Sequence, residues 1–508
     1  MSGIKRTAAQ TAVLMAVLTL GSKLLGFIRE MVMASGFGTS YVTDAYVLST
    51  AIPTIIFGGL FSAVATAYIP LFSEIIEHRG KKAANLFTSQ ILNLLFIISI
   101  ISSIFGFIFS DFIIKICAPG FLGETAQLAS FFVKVTFSYV IFTSTASLLD
   151  SYLQYKGSFL LPIVSGYMQN IFVIGCIVIS ALYQYYFLAF GLLIGCFARF
   201  LIVFFFAMKK GFHYSLDFHF KNKAKSILIL ALPVFIGSYI NQINLFVDKS
   251  LASQLPEGSA SALNYGYLLV GIATGLTISI ITTMIYPKLT QARSLGQQRR
   301  FEEMICKGVN LILVVALPCT FGGLVYSGTI VQIVYERGAF DSNATVLTQT
   351  TFFFYVGGLL FFAFTEFFTR IFYAMRDMQS TLIAGVAAVI VNVILNLILV
   401  RYLAHGGLAL ATSIASACNV TLMYLVFKRK YGEIQLIESW IKLYKIAGSA
   451  IISTGVSYVI YYLLVSTIWM PRMIYFCLAA IIDGIVYIGL LHLFKIEEVK
   501  MLSQLFKN

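Results

Sequence analysis

The feature that most constrains this chain is the recurrence of long apolar runs along its whole length. A bilayer's hydrocarbon core is about 30 Å thick, so about 20 consecutive apolar residues in a helix cross it once. That measure predicts spans near 10–35, 43–73, 86–109, 125–154, 160–182, 185–208, 225–252, 261–287, 306–332, 346–374, 380–400, 407–427, 443–466 and 472–494. The expectation is an all-α polytopic membrane protein with fourteen transmembrane helices. The runs 43–73, 125–154 and 346–374 are long enough to tilt, bend or project into water. Composition agrees, because only 11% of residues are charged, against about a quarter in soluble proteins. The first run is too long, and too interrupted by Lys23 and Arg29, for a cleaved signal peptide.

A formal charge of +14 raises the possibility of nucleic acid, but its distribution argues against that partner. Lys and Arg cluster in alternate connections, as the positive-inside rule requires when no span has been missed. One side receives Arg79, Lys81 and Lys82, then Lys156, Lys209 and Lys210, Lys288 to Lys307, and Lys428 to Lys430. The other receives little beyond Lys115, Arg337, Arg401 and Arg472. Both termini are expected in the cytoplasm. Connections of at most about twenty residues leave no room for a folded catalytic or nucleotide-binding domain, and the chain carries no phosphate-binding P-loop pattern. The seven cysteines and five histidines lack metal-ligand spacing. No enzyme and no resident cofactor is expected; a transporter would draw on a gradient or on the membrane potential.

Residues 33–70 have a weak echo in 250–287, Pro70 answering Pro287, and Gly191-Leu192 answers Gly407-Leu408. A shift of about 217 residues relates two halves of six helices each, which places them in parallel orientation, as in transporters built from parallel repeats. The expected organisation is an N-terminal lobe over 1–220, a C-terminal lobe over 221–430, and two additional helices with a cytoplasmic tail over 431–508. Two pseudo-symmetric lobes of this kind surround a central cavity.

Ionisable groups at membrane depth are costly and should face a cavity or a partner. On the first helix Lys23 and Arg29 lie six positions apart, about 9 Å along the axis, with Gly26 between them able to permit a bend. Two such cations can grip a diphosphate, Arg with bidentate bonds and Lys as a point charge; pairing of Arg29 with Glu30 is the structural alternative. Asp44, at the start of the second helix, either complements the helix dipole or holds Lys23 or Arg29. Asp248, Asn392, Asn396 and Thr412 offer oxygens from three helices to a hard cation such as Na⁺, or hydrogen-bond between helices. Glu366 and Arg370, at i,i+4, read as an ion pair. The glycine pairs Gly191/Gly195 and Gly271/Gly275 read as sites of close helix packing.

The segments SKLLGFIRE (22–30), FGTSYVTDAY (37–46) and AYIP (67–70), with FYAMRDMQSTLI (372–383) and HGGLALATSIASACNV (405–420) farther on, resemble the MurJ (MviN) family over essentially the whole chain. The resemblance implies the multidrug/oligosaccharidyl-lipid/polysaccharide exporter fold. It implies the job of flipping lipid II, the undecaprenyl-diphosphate-linked peptidoglycan precursor, to the outer leaflet by alternating access. Lys23 and Arg29 match family arginines, Glu30 a family Asp, and Asp44 the Asp of the TDA motif, so all four are expected to bind substrate. The family's sodium site corresponds to Asp248, Asn392, Asn396 and Thr412, with Asn396 where a carboxylate is expected. Family members often carry basic residues after the proline of helix two and an Arg in helix eight; IPTIIFGG (52–59) and LNYGYLL (263–269) have none. Implied partners are the lipid-linked glycan diphosphate, membrane lipids and cell-wall synthesis proteins. Rival readings are a flippase for an exopolysaccharide or teichoic-type precursor, a drug/cation antiporter, and a membrane-embedded glycosyl- or acyltransferase.

Overall fold

In the structure, a computed structural model, residues 8–218, 242–432, 437–467 and 471–499 are described. Every regular element among them is helical. The predicted span 225–252 is described only from residue 242, where it is helical to residue 252. The first part of the chain forms α1 (Ala8–Phe37), α2 (Tyr41–Ile108), α3 (Ser110–Cys117), α4 (Gly123–Tyr155), α5 (Leu160–Leu182) and α6 (Leu188–Lys209). Then come α7 (Ser259–Met284), α8 (Tyr286–Ser294), α9 (Gln298–Val325), α10 (Ser327–Tyr335), α11 (Ser342–Gly357), α12 (Leu359–Ala374), α13 (Met378–Tyr431), α14 (Ile437–Thr467) and α15 (Arg472–Leu493).

Among the described residues, nine helices are long and apolar enough to cross a membrane, or ten if α11 and α12, bent by 47°, count as one span. Two of these are hairpins. A straight α2 of 68 residues would measure about 100 Å, three hydrocarbon thicknesses. Gly80 leaves helical geometry with φ 77°, a left-handed conformation that glycine adopts without a Cβ penalty. Beyond it the chain doubles back: the Tyr68 and Thr88 hydroxyls meet at 2.7 Å, although twenty residues of straight helix would hold them about 30 Å apart. Ala404 turns α13 in the same way, with φ 47°.

The chain divides into two compact units. One compact unit comprises residues up to Ser261 together with 337–341; the other comprises 262–336 and 342–508. Side-chain oxygens before α7 tie that stretch to the first unit. Glu257 Oε1 accepts from the Tyr41 amide at 2.7 Å, and Ser253 Oγ accepts from the Gly120 amide at 3.3 Å. The stretch that leads into α7 therefore packs with α2 and with the α3–α4 connection.

Within the first unit α1 and α5 lie side by side and run parallel, as the first and fifth spans of an alternating chain must: Ser22 lies beside Gly166 and Gly36 beside Ala181. At Gly21 the absence of a side chain lets the Tyr167 hydroxyl donate to the Leu18 carbonyl at 2.6 Å. The α5–α6 contact is equally close, since a methyl on Gly195 would come 2.8 Å from the Gln169 carbonyl oxygen and one on Gly191 would come 3.0 Å from Cys176 Cβ. The second glycine pair behaves otherwise: a methyl on Gly271 or Gly275 would meet open space, with nothing among the described residues within 4 Å, so they mark no tight crossing there.

Pro53 inside α2 and Pro318 inside α9 would leave carbonyls unpaired in a medium without water. Both losses are answered from a neighbouring helix. Pro53 frees the Ser49 carbonyl, and Thr136 of α4 donates its hydroxyl to that oxygen at 3.2 Å. Pro318 frees the Val314 carbonyl, and Tyr487 of α15 donates to it at 2.8 Å. In the second unit α14 and α15 thus dock on α9, where Tyr326 and Ser457 also share a hydrogen bond of 2.8 Å. The expected Glu366–Arg370 ion pair is not formed; the Arg370 guanidinium instead stacks over the Tyr286 ring, 5.8 Å from its centre, where cation–π attraction replaces a carboxylate.

Candidate functional site

The first unit assembles a charged cluster around the end of α1. Arg29 donates through Nε and Nη2 to Glu30 Oε1, at 3.1 and 2.7 Å. Its third donor, Nη1, reaches Asn170 Oδ1 of α5 at 3.1 Å. The parallel packing of α1 on α5 places Asn170 at this height, and Asn170 is itself held by a bond from Nδ2 to the Gly166 carbonyl at 3.1 Å. Arg29 retains 29% side-chain exposure and Glu30 16%, so the pair is reachable and not sealed in. The Tyr46 ring of α2 lies within electrostatic reach of both.

A cation without any local sequence signal completes the group. Lys249, on the helical stretch 242–252, interacts electrostatically with Glu30 and Asp248. Glu30 thus pairs with Arg29 and lies within electrostatic reach of Lys249, a cation from a different helix. Lys23 lies apart from this network, exposed on α1 beside the exposed Leu24, and α1 runs unbroken through Gly26.

Asp44 stands elsewhere than the cation-holding alternative would put it. Its two carboxylate oxygens accept from the backbone amides of Gly258 and Ser261, both at 2.7 Å. These amides belong to the first turn of α7 and the residue before it, where helix N–H groups lack partners and the dipole favours an anion. Asp44 and Ser261 are 217 positions apart, the spacing of the repeat, so a residue bonds directly to its own counterpart. The Thr43 hydroxyl donates to the Gly38 carbonyl at 3.0 Å, which closes the turn that aims Asp44.

The four residues of the expected sodium site divide between the units. Asp248 lies in the first and is 3% exposed. In the second, Asn392 Nδ2 donates to Thr412 Oγ1 at 3.1 Å and Asn396 Nδ2 donates to Asn392 Oδ1 at 2.8 Å. The Asn392–Thr412 bond joins the two arms of α13, and the Asn396–Asn392 bond lies within one arm. Among the described residues no group of three His, Cys, Asp or Glu side chains is placed to hold a metal.

An all-helical membrane scaffold that carries a paired arginine, a second cation and a repeat-related cap can be compared with known proteins. The family model described as "Lipid II flippase MurJ" matches residues 33–481. The chain belongs to the MurJ family. Its relatives include a probable lipid II flippase MurJ of Buchnera aphidicola subsp. Acyrthosiphon pisum, 26% identical over 97% of this chain and 98% of that protein. The lipid II flippase MurJ of Burkholderia cenocepacia is 23% identical over 86% and 87%. Among solved structures, a lipid II flippase MurJ in an inward closed conformation superposes with a TM-score of 0.82 at 25% identity, over 96% of this chain and all of that one. A MATE multidrug transporter of the MOP superfamily shares the fold alone, with a TM-score of 0.68 at 14% identity. The MurJ-like architecture confirms the expected exporter fold and the multi-pass membrane character.

Proposed function

We propose that this chain flips lipid II from the inner to the outer leaflet of the bacterial plasma membrane, with both termini in the cytoplasm. Membership of the MurJ family supports the substrate, and the family is one of transporters, not enzymes. The observation that carries the reading in this chain is the state of Arg29: a guanidinium on an apolar helix, partly exposed, with Glu30 and Asn170 supplying its present bonds. A diphosphate offers stronger, bidentate acceptors for the same donors. Glu30 then acts as a placeholder that keeps the cation in position between substrates. Lys249 supplies positive charge from the helical stretch 242–252, which offsets the missing basic residues of 52–59 and 263–269, and Lys23 meets the headgroup as an exposed point charge.

Asp44 takes part by fixing the start of α7. Outward movement of each negative charge is favoured by an inside-negative potential by about 2.3 kcal/mol per 100 mV, so the potential is the driving force in this reading. The working neighbours are the cell-wall synthesis proteins that make and consume lipid II.

The test is reconstitution in vesicles with labelled lipid II and an imposed potential. Arg29→Gln should lower the flipping rate by roughly tenfold to a hundredfold, the equivalent of one or two charge-assisted bonds, while Arg29→Lys keeps part of it. Full activity of Arg29→Gln would refute the role. Because any polyprenyl-diphosphate glycan presents the same anion, rescue of cells depleted of their resident lipid II flippase separates this substrate from an exopolysaccharide or teichoic-type precursor.

A further inference from the structure

We propose that a cleft inside the first unit is a hydroxyl-recognising subsite that takes a sugar ring of the carried headgroup; this rests on the lipid-linked glycan reading above and deepens it. The cleft measures about 470 Å³, within the roughly 300–1,000 Å³ of small-ligand sites. Residues of the first arm of α2, among them Phe61, Thr66 and Ile69, form one wall, and Ser147, Asp150 and Gln154 of α4 lie on the other. Asp150 is only 8% exposed. Its Oδ2 accepts from Arg199 Nη2 of α6 at 2.6 Å, and neither member of this pair bonds to the Arg29 cluster.

The pair is incompletely satisfied. Asp150 Oδ1 and Arg199 Nε are buried and have no hydrogen-bond partner. A buried charge pair with an open valence is unfavourable until a donor reaches it. The chemistry of the walls selects that donor. Arg199 already neutralises the carboxylate, so the cleft exerts little net attraction on an anion, and the open carboxylate oxygen accepts only. A phosphate therefore finds no reason to enter, and the Arg29 cluster remains its place. Asp150 Oδ1 is covered, so a hydroxyl donates to it once the wall side chains shift, while the Ser147 and Thr66 hydroxyls and the Gln154 amide both donate and accept. Neighbouring hydroxyls on one ring, each needing a donor and an acceptor, match that set.

The experiment measures binding of two probes, lipid II and undecaprenyl diphosphate without sugars, to the full-length protein in lipid nanodiscs. Ser147→Val and Gln154→Leu change the uncharged wall and leave the Asp150–Arg199 pair intact, so folding is preserved; a thermal melt of each variant verifies it. Each should weaken lipid II binding by about fivefold to tenfold, the equivalent of a lost hydrogen bond, and leave undecaprenyl diphosphate binding within about twofold. Arg29→Gln should weaken both probes. Unchanged lipid II affinity in both cleft variants means that water alone fills the cleft, and overturns the assignment. Equal loss for the two probes overturns it as well. If the unaltered protein fails to bind lipid II while it binds the sugar-free lipid, the substrate reading falls and the subsite with it, which is a different result from a failure confined to the variants.

Discussion

Asp44→Asn is the substitution that best separates a structural anion from a substrate contact. The carboxylate makes two bonds of 2.7 Å to the Gly258 and Ser261 amides. An Asn has one carbonyl oxygen in place of two, so one bond is lost, and the amine that replaces the other oxygen faces a backbone donor. The favourable interaction of a negative charge with the start of α7 is lost as well. A charge-assisted bond contributes about 1.5–3 kcal/mol, and charge at a helix start up to about 2 kcal/mol when partly buried. The structure thus predicts a destabilisation of about 2–4 kcal/mol, visible as a clear fall in the thermal midpoint of the detergent-solubilised protein. Lipid II affinity per folded molecule should change by less than about twofold, because the Asp44 bonds go to α7 amides and not to the Arg29 cluster. A roughly tenfold loss of affinity, about 1.4 kcal/mol, with an unchanged midpoint would show that Asp44 touches substrate and that the capping argument is wrong.

Two further outcomes follow from the scaffold. Tyr487→Phe removes the hydroxyl that answers the carbonyl freed by Pro318 and should cost about 1–2 kcal/mol; in a Pro318→Ala background, where the helix regains its own N–H, the same change should be nearly neutral, and equal costs in a double-mutant cycle would exclude the compensation. Asp377, in the connection before α13, is partly buried, which alone would raise its pKa, but bonds from Ser380, Lys430 and Tyr431 outweigh this and hold the carboxyl below its ordinary value near 3.8. A depressed folded value means that the group stabilises the fold above about pH 4 and that this contribution fades as pH falls below it, so the midpoint difference between the unaltered protein and Asp377→Asn should be full at about pH 7 and shrink toward about pH 3; a difference independent of pH would contradict the assignment.

Much of the architecture was readable because apolar length and loop charge are properties of single segments. The run 160–182 coincides with α5 to the residue, and 472–494 ends within one residue of α15. The Arg29–Glu30 pair was also visible, since its members are adjacent. What escaped depends on partners brought in from elsewhere. Lys249 shows its meaning only beside Glu30, 219 positions earlier, and Asp150 only beside Arg199. Asp44 gave two readings, its own helix dipole or a hold on Lys23 or Arg29, and its bonds go instead to the Gly258 and Ser261 amides, which carry no sequence signal. Glu366 and Arg370 met the i,i+4 rule, yet the ring of Tyr286 won the guanidinium. Spacing along one helix cannot report what a second helix offers.

Pro53 and Pro318 have an evolutionary corollary. Because Thr136 answers Pro53 and Tyr487 answers Pro318 from a different helix, neither member of a pair can drift alone without leaving an oxygen stranded in hydrocarbon. Lineages that replace the proline release the hydroxyl from selection, and lineages that lose the hydroxyl should have surrendered the proline first. Joint inheritance at 53 and 136, and at 318 and 487, is therefore the signature that this packing would leave among descendants of the same ancestor.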